Sequence, residues 1–86
     1  MSAYELTLVF REETKDTEKK AQALVPGKVK STKSWGVRDL AYQIKKAKRG
    51  GYFWLEIELE KDQVIDLDKS LRQNETVLRH LLISSG

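Results

Sequence analysis

The run Lys45-Lys46-Ala47-Lys48-Arg49-Gly50-Gly51-Tyr52-Phe53-Trp54 sets four cations just ahead of three aromatic rings. Cations at this density neutralise phosphates and release counterions, and such rings stack unpaired bases. The chemistry this suggests is polyanion binding. The plainer reading of Tyr52 and Trp54 is packing against a protein partner, because exposed aromatics are common anchors of protein interfaces.

The cations extend well beyond that run. Lys28, Lys30, Lys33, Arg38, Lys45, Lys46, Lys48 and Arg49 face a single acid, Asp39, so residues 28–49 carry +7 and leave −4 for the rest of a chain whose total is +3. An acidic remainder limits nonspecific attraction elsewhere and favours one local binding face. A solvated lysine-rich loop is the bland alternative. The aromatic-basic motif of RNA-recognition modules does not apply, because it requires an aromatic where Gly51 stands and a small residue where Tyr52 stands.

Catalysis has little material. His80 is the only histidine and falls inside the apolar run of the last strand, with no matched nucleophile or oxyanion donors nearby in sequence. No Gly-rich phosphate loop of the Walker type and no ligand-spaced histidines are present. Zero cysteines exclude a disulfide framework, a thiolate metal site and a cysteine nucleophile. No catalytic residue, metal or cofactor is therefore expected, and the carboxylate clusters Glu12-Glu13 and Glu56, Glu58, Glu60 read as solvated faces.

The elements that must position these residues fit a small chain. With 86 residues, 40% hydrophobic and 34% charged, one modest core is available, so residues 1–86 read as one domain. The start lacks a basic-then-apolar leader, and the longest apolar run is Tyr52 to Leu55, so neither secretion by a cleavable signal nor a membrane span is expected.

Tyr4, Leu6, Leu8 and Phe10 alternate with polar residues as in a half-buried strand. Thr14 and Asp16 offer caps to a short, lightly anchored helix from Thr17 to about Val25, stopped by Pro26-Gly27. From Lys28 to Ile44 the chain reads as one long, bent strand, with Gly36 suggesting a bulge or bend where apolar parity changes. Lys45 to Gly51 reads as a basic turn. Phe53, Leu55, Ile57 and Leu59 then alternate strictly, which turns Tyr52 and Trp54 outward. Asp62 is the expected cap of a second helix to about Gln73, with Val64, Leu67 and Leu71 on its apolar stripe and Asn74 as its C-terminal stop. Thr76 to Ile83 reads as the last strand. The order β-α-β-β-α-β is the ferredoxin-like α+β pattern: a four-stranded antiparallel sheet with two helices on one face and the other face open.

Trp35-Gly36-Val37-Arg38-Asp39-Leu40-Ala41-Tyr42-Gln43-Ile44-Lys45-Lys46, then Gly51-Tyr52, resembles the signature of the bacterial small-subunit ribosomal protein S-six family. Tyr4-Glu5-Leu6 near the start and Asn74-Glu75-Thr76-Val77-Leu78-Arg79 near the end match the same family in order, so the resemblance spans the chain. It implies a non-catalytic cytoplasmic component of the ribosome, active in translation, that binds central-domain rRNA on the platform as a heterodimer with ribosomal protein S-eighteen. Arg38, Arg79, Lys45 and Lys46 match the family's basic positions and are expected at phosphate or the partner's interface. For Arg38 and Arg79 the plainer reading is a strand-surface arginine paired with a carboxylate.

Tyr4, Leu40, Tyr42 and Ile44 also match, and their spacing suggests core packing. On an open sheet face or edge, Tyr52, Trp54, Leu81 and Ile83 are the apolar candidates for the protein partner. Two departures stand out: a short first helix, and an ending Ser84-Ser85-Gly86 without a charged tail, which leaves RNA contact to Lys28–Arg49 and Arg79. The alternative is a free-standing single-stranded nucleic-acid binder that uses Tyr52 and Trp54 as a stacking platform. Exposed sheet edges also leave weak self-association of the isolated chain open.

Overall fold

Side-chain alternation sets the first strand, as the sequence predicts. In β1 (Ser2–Arg11) Leu6, Leu8 and Phe10 are fully buried on one face, and Glu5 and Thr7 lie on the other. The computed structural model describes residues 2–85. It continues through α1 (Thr17–Leu24), β2 (Lys28–Ile44), β3 (Ala47–Leu59), α2 (Lys61–Gln73) and β4 (Val77–Ser84). The strands form one sheet in the order β2-β3-β1-β4, and every neighbouring pair is antiparallel. This is the ferredoxin-like arrangement.

The core lies between the sheet and the helices. Leu6, Leu8 and Phe10 of β1 and Phe53, Leu55, Ile57 and Leu59 of β3 meet Ala21 of α1 and Leu67 and Leu71 of α2, and Val77 closes the cluster from β4. Phe10 and Phe53 touch edge to face, with ring centroids 6.1 Å apart and planes at 83°. Such a pair contributes about 0.5–1.5 kcal/mol beyond its burial. α1 is short and buries only Ala21 among its eight residues, so most of its hold on the sheet comes from the half-buried Leu24 and the cap residue Val25.

Several local expectations need correction. Glu60, rather than Asp62, caps α2: its backbone N–H donates to Gln63 Oε1 at 2.8 Å, and a reciprocal capping box closes the turn. Asn74 does not adopt the left-handed stop conformation. Its φ is −86°, and its Oδ1 accepts from the Thr76 backbone N–H at 3.0 Å and the Thr76 hydroxyl at 2.7 Å, which turns the chain into β4. Tyr42 is not a core residue; it is 63% exposed, because β2 runs past the part of the sheet that the helices cover. Leu40 and Ile44 are half-buried outside the main cluster, whereas Tyr4 packs against it.

The largest correction concerns the turn between β2 and β3. Ile44 pairs with Ala47, so the turn is only Lys45-Lys46, and both residues take positive φ, 48° and 68°. Gly50 and Gly51 are strand residues, opposite Arg11 and Phe10. A Cβ on Gly50 would sit 2.5 Å from Val9 Cγ1 and 3.0 Å from the Phe10 carbonyl oxygen, so glycine lets β1 and β3 approach there. The bulge expected at Gly36 is present, with φ 78° and a register shift between Ser34 and Gly36.

Candidate nucleic-acid interface

The register fixes what stands on the helix-free face. Leu81, Thr7, Trp54 and Lys33 form one row across β4, β1, β3 and β2. Ile83, Glu5, Glu56 and Ser31 form the next, and Arg79, Val9, Tyr52 and Gly36 form the row on the other side. Tyr52 and Trp54 are half-buried within this face, while Leu81 and Ile83 are 55% and 49% exposed. The four apolar partner-face candidates therefore share one surface. Trp54 Nε1–H donates to Glu5 Oε1 at 3.2 Å, and Glu56 lies directly across from Glu5. Two carboxylates at the centre of the face oppose a phosphate backbone lying over it.

The far end of the β2–β3 hairpin crosses to β4. Lys45 Nζ donates to the Val77 carbonyl at 3.1 Å, and Arg79 Nη1 donates to the Tyr42 hydroxyl at 3.2 Å. Arg11, at the end of β1, donates from Nε to the Glu75 carbonyl and from Nη2 to the Lys45 carbonyl, each at 3.1 Å. Val9 and Leu78 are buried at this end, outside the main core cluster.

The cations singled out in the sequence divide by partner. Lys30 pairs with Glu58 at 3.8 Å, and Arg49 pairs with Asp39 at 3.1 Å and Glu12 at 3.7 Å, so the charge of both is compensated locally. Arg38 donates to the Trp35 carbonyl at 3.2 Å and Arg79 to a phenol, not to carboxylates. Lys45 is likewise engaged with a neutral oxygen. Lys28, Lys33, Lys46 and Lys48 are exposed and make no ion pair among the described residues. Lys28 and Lys33 stand along the β2 edge, whereas Lys45, Lys46 and Lys48 cluster at the hairpin end. Arg11 was not singled out, since in sequence it stands beside Glu12-Glu13 and counts with the acidic remainder.

His80 points to the helix face, opposite Leu8, and its Nε2 lies 2.9 Å from Asp68 Oδ1 on α2. Arg72 Nε holds the other Asp68 oxygen at 2.9 Å. The hydrogen bond from His80, aided by the Arg72 charge, holds the Asp68 carboxyl below its usual value despite some desolvation. This clamp ties α2 to β4. Among the described residues no group of acids and histidines could hold a metal, and no helix is long and apolar enough to cross a membrane.

Against known proteins, the family model described as Ribosomal protein S6 matches residues 3–84. The chain belongs to that family. Small ribosomal subunit protein bS6 of Alkaliphilus metalliredigens is 35% identical over 91 aligned positions that cover 96% of both chains. The bS6 of Zymomonas mobilis is 39% identical over 57 residues, which span 66% of this chain and 46% of that relative, so that match covers about half of its length. The crystal structure of 30S ribosomal protein S6 from Thermotoga maritima superposes with a TM-score of 0.77 at 20% identity, covering 96% of this chain and 86% of that one. The S6 family is a structural, non-enzymatic component of the small ribosomal subunit.

Proposed function

We propose that this S6-family chain binds small-subunit rRNA together with ribosomal protein S-eighteen, at the central domain on the platform, as a cytoplasmic assembly component of the ribosome. The observation that carries the reading is the adjacency of two unlike surfaces. An apolar face (Trp54, Leu81, Ile83) suited to a protein adjoins a hairpin end where Lys45, Lys46 and Lys48 lack carboxylate partners among the described residues and suit phosphate.

A stacking platform for free single strands is less well supported. The Trp54 N–H is held by Glu5, the face centre carries Glu5 and Glu56, and the most exposed members of the patch are the aliphatic Leu81 and Ile83.

The test is a titration with purified S-eighteen, followed by a central-domain rRNA fragment, at near-physiological salt. Formation of the pair, and much tighter binding of the fragment by the pair than by this chain alone, is the expected result. No pair, with binding of arbitrary single strands that is lost in Trp54→Ala, would instead support the stacking platform.

A further inference from the structure

We infer that Arg11 is a positioning residue of the phosphate-binding surface, acting through the Lys45-Lys46 turn; this rests on the RNA reading above. A two-residue hairpin turn with both residues at positive φ favours Asn-Gly or Asp-Gly, and lysine in that region is disfavoured by Cβ crowding. Here the turn is Lys-Lys, with φ 48° and 68°. Local sequence opposes the conformation, so contacts from outside the hairpin must hold it.

Two such contacts exist. Lys45 Nζ reaches the Val77 carbonyl, and the Arg11 guanidinium bridges the carbonyls of Glu75 and Lys45. Arg11 thereby fastens the turn to the segment that enters β4. Backbone strain retained by tertiary contacts concentrates where geometry serves a function. What this geometry achieves is to hold Lys46 and Lys48 out into solvent while Lys45, Arg11 and Arg79 gather at the same end.

None of these five cations is ion-paired among the described residues. Arg11, Lys45 and Arg79 donate to carbonyls and a phenol rather than to carboxylates, and of the acids that line the groove beside Arg11, Lys46 and Lys48, Glu12 pairs with Arg49. An anchored cluster binds phosphate more tightly than the same charges on a loose loop, because less ordering is required on binding.

The test compares wild type with Arg11→Lys, which keeps the charge but cannot reproduce a planar fork that bridges two carbonyls. Binding of a central-domain rRNA fragment with S-eighteen present is measured across a salt series, and amide hydrogen exchange at Ala47, just after the turn, is followed in the free chain. The expected result for Arg11→Lys is roughly tenfold weaker binding with little change in salt dependence, since the charge is kept, and faster Ala47 exchange. Arg11→Gln, which removes the charge as well, is expected to bind no more tightly than Arg11→Lys.

Binding by Arg11→Lys equal to wild type, or unchanged Ala47 exchange, overturns the inference. Failure of the wild type itself to bind overturns the parent RNA reading, a result distinguishable because it involves no variant.

Discussion

Trp54 donates its indole N–H to the Glu5 carboxylate across the β1–β3 pair, on the face of the sheet that no helix covers. Trp54 stands between its cross-strand partners Thr7 and Lys33, and the bond gives a largely apolar patch a polar centre. A partner that covers this patch must satisfy or displace Glu5. Replacing Glu5 with Gln keeps an acceptor but removes the charge and is expected to leave folding intact; under the proposed pairing with S-eighteen at this face, it should change that affinity less than Trp54→Ala, whose loss of an aromatic anchor should cost about 2 kcal/mol or more by calorimetry.

The two adjacent glycines of β3 should respond differently to one added methyl group. Gly50→Ala forces a Cβ against Val9 and the Phe10 carbonyl and is expected to destabilise by about 1–3 kcal/mol in denaturant titrations. Gly51→Ala meets nothing within 4 Å and is expected to fall within about 0.5 kcal/mol of wild type.

Core truncation supplies the scale for these effects. Leu71 on α2 is 1% exposed within the main cluster, and Leu71→Ala is expected to cost about 2–5 kcal/mol, read as a large fall in melting temperature.

Acid should release the α2–β4 clamp. Asp68 binds its proton less readily in the folded chain than in the unfolded one. Its contribution is therefore complete above the ordinary aspartate range and is lost as pH falls below about 4 and through the lowered folded value. The stability gap between wild type and Asp68→Asn should shrink in melts taken at progressively more acidic pH below about 4.

The turn offers a trade between stability and binding. Lys46→Gly removes a side chain from φ 68° and is expected to stabilise the fold by about 0.5 kcal/mol or more. The same change deletes a cation that is unpaired among the described residues, so under the proposed RNA binding the salt slope should fall by about one. Lys30→Ala, which removes a lysine already paired with Glu58, should change that slope little.

Much of the fold was legible because it follows from period-two alternation. Leu6, Leu8 and Phe10, and Phe53 to Leu59, announce their faces residue by residue, and Tyr52 and Trp54 follow by parity. The bulge at Gly36 was legible from the parity change. The turn was not, because Gly50-Gly51 offers the usual turn chemistry nearby, whereas Lys45-Lys46 is held by groups far away in the chain. Arg11 and Lys45 are 34 positions apart, and Tyr42 and Arg79 are 37 apart, so no window of sequence displays either contact. The division of cations into paired and unpaired was hidden for the same reason: Arg49 meets Glu12 only once β1 and β3 lie side by side. The cap of α2 was misplaced because aspartate is the stronger cap by type, yet Gln63 stands three residues after Glu60 and completes the box there.

The position of β1 has a consequence for synthesis. Strand β1, made before the three strands it shares a sheet with, lies between β3 and β4, with neighbours on both edges. Until residues 47–59 have been polymerised, Leu6-Thr7-Leu8-Val9-Phe10 has no partner for either backbone edge, its second edge waits for residues 77–84, and its apolar face waits for α2 to complete its cover. A nascent chain of this topology carries an unpaired, aggregation-prone strand through most of its translation and closes its sheet only when β4 emerges.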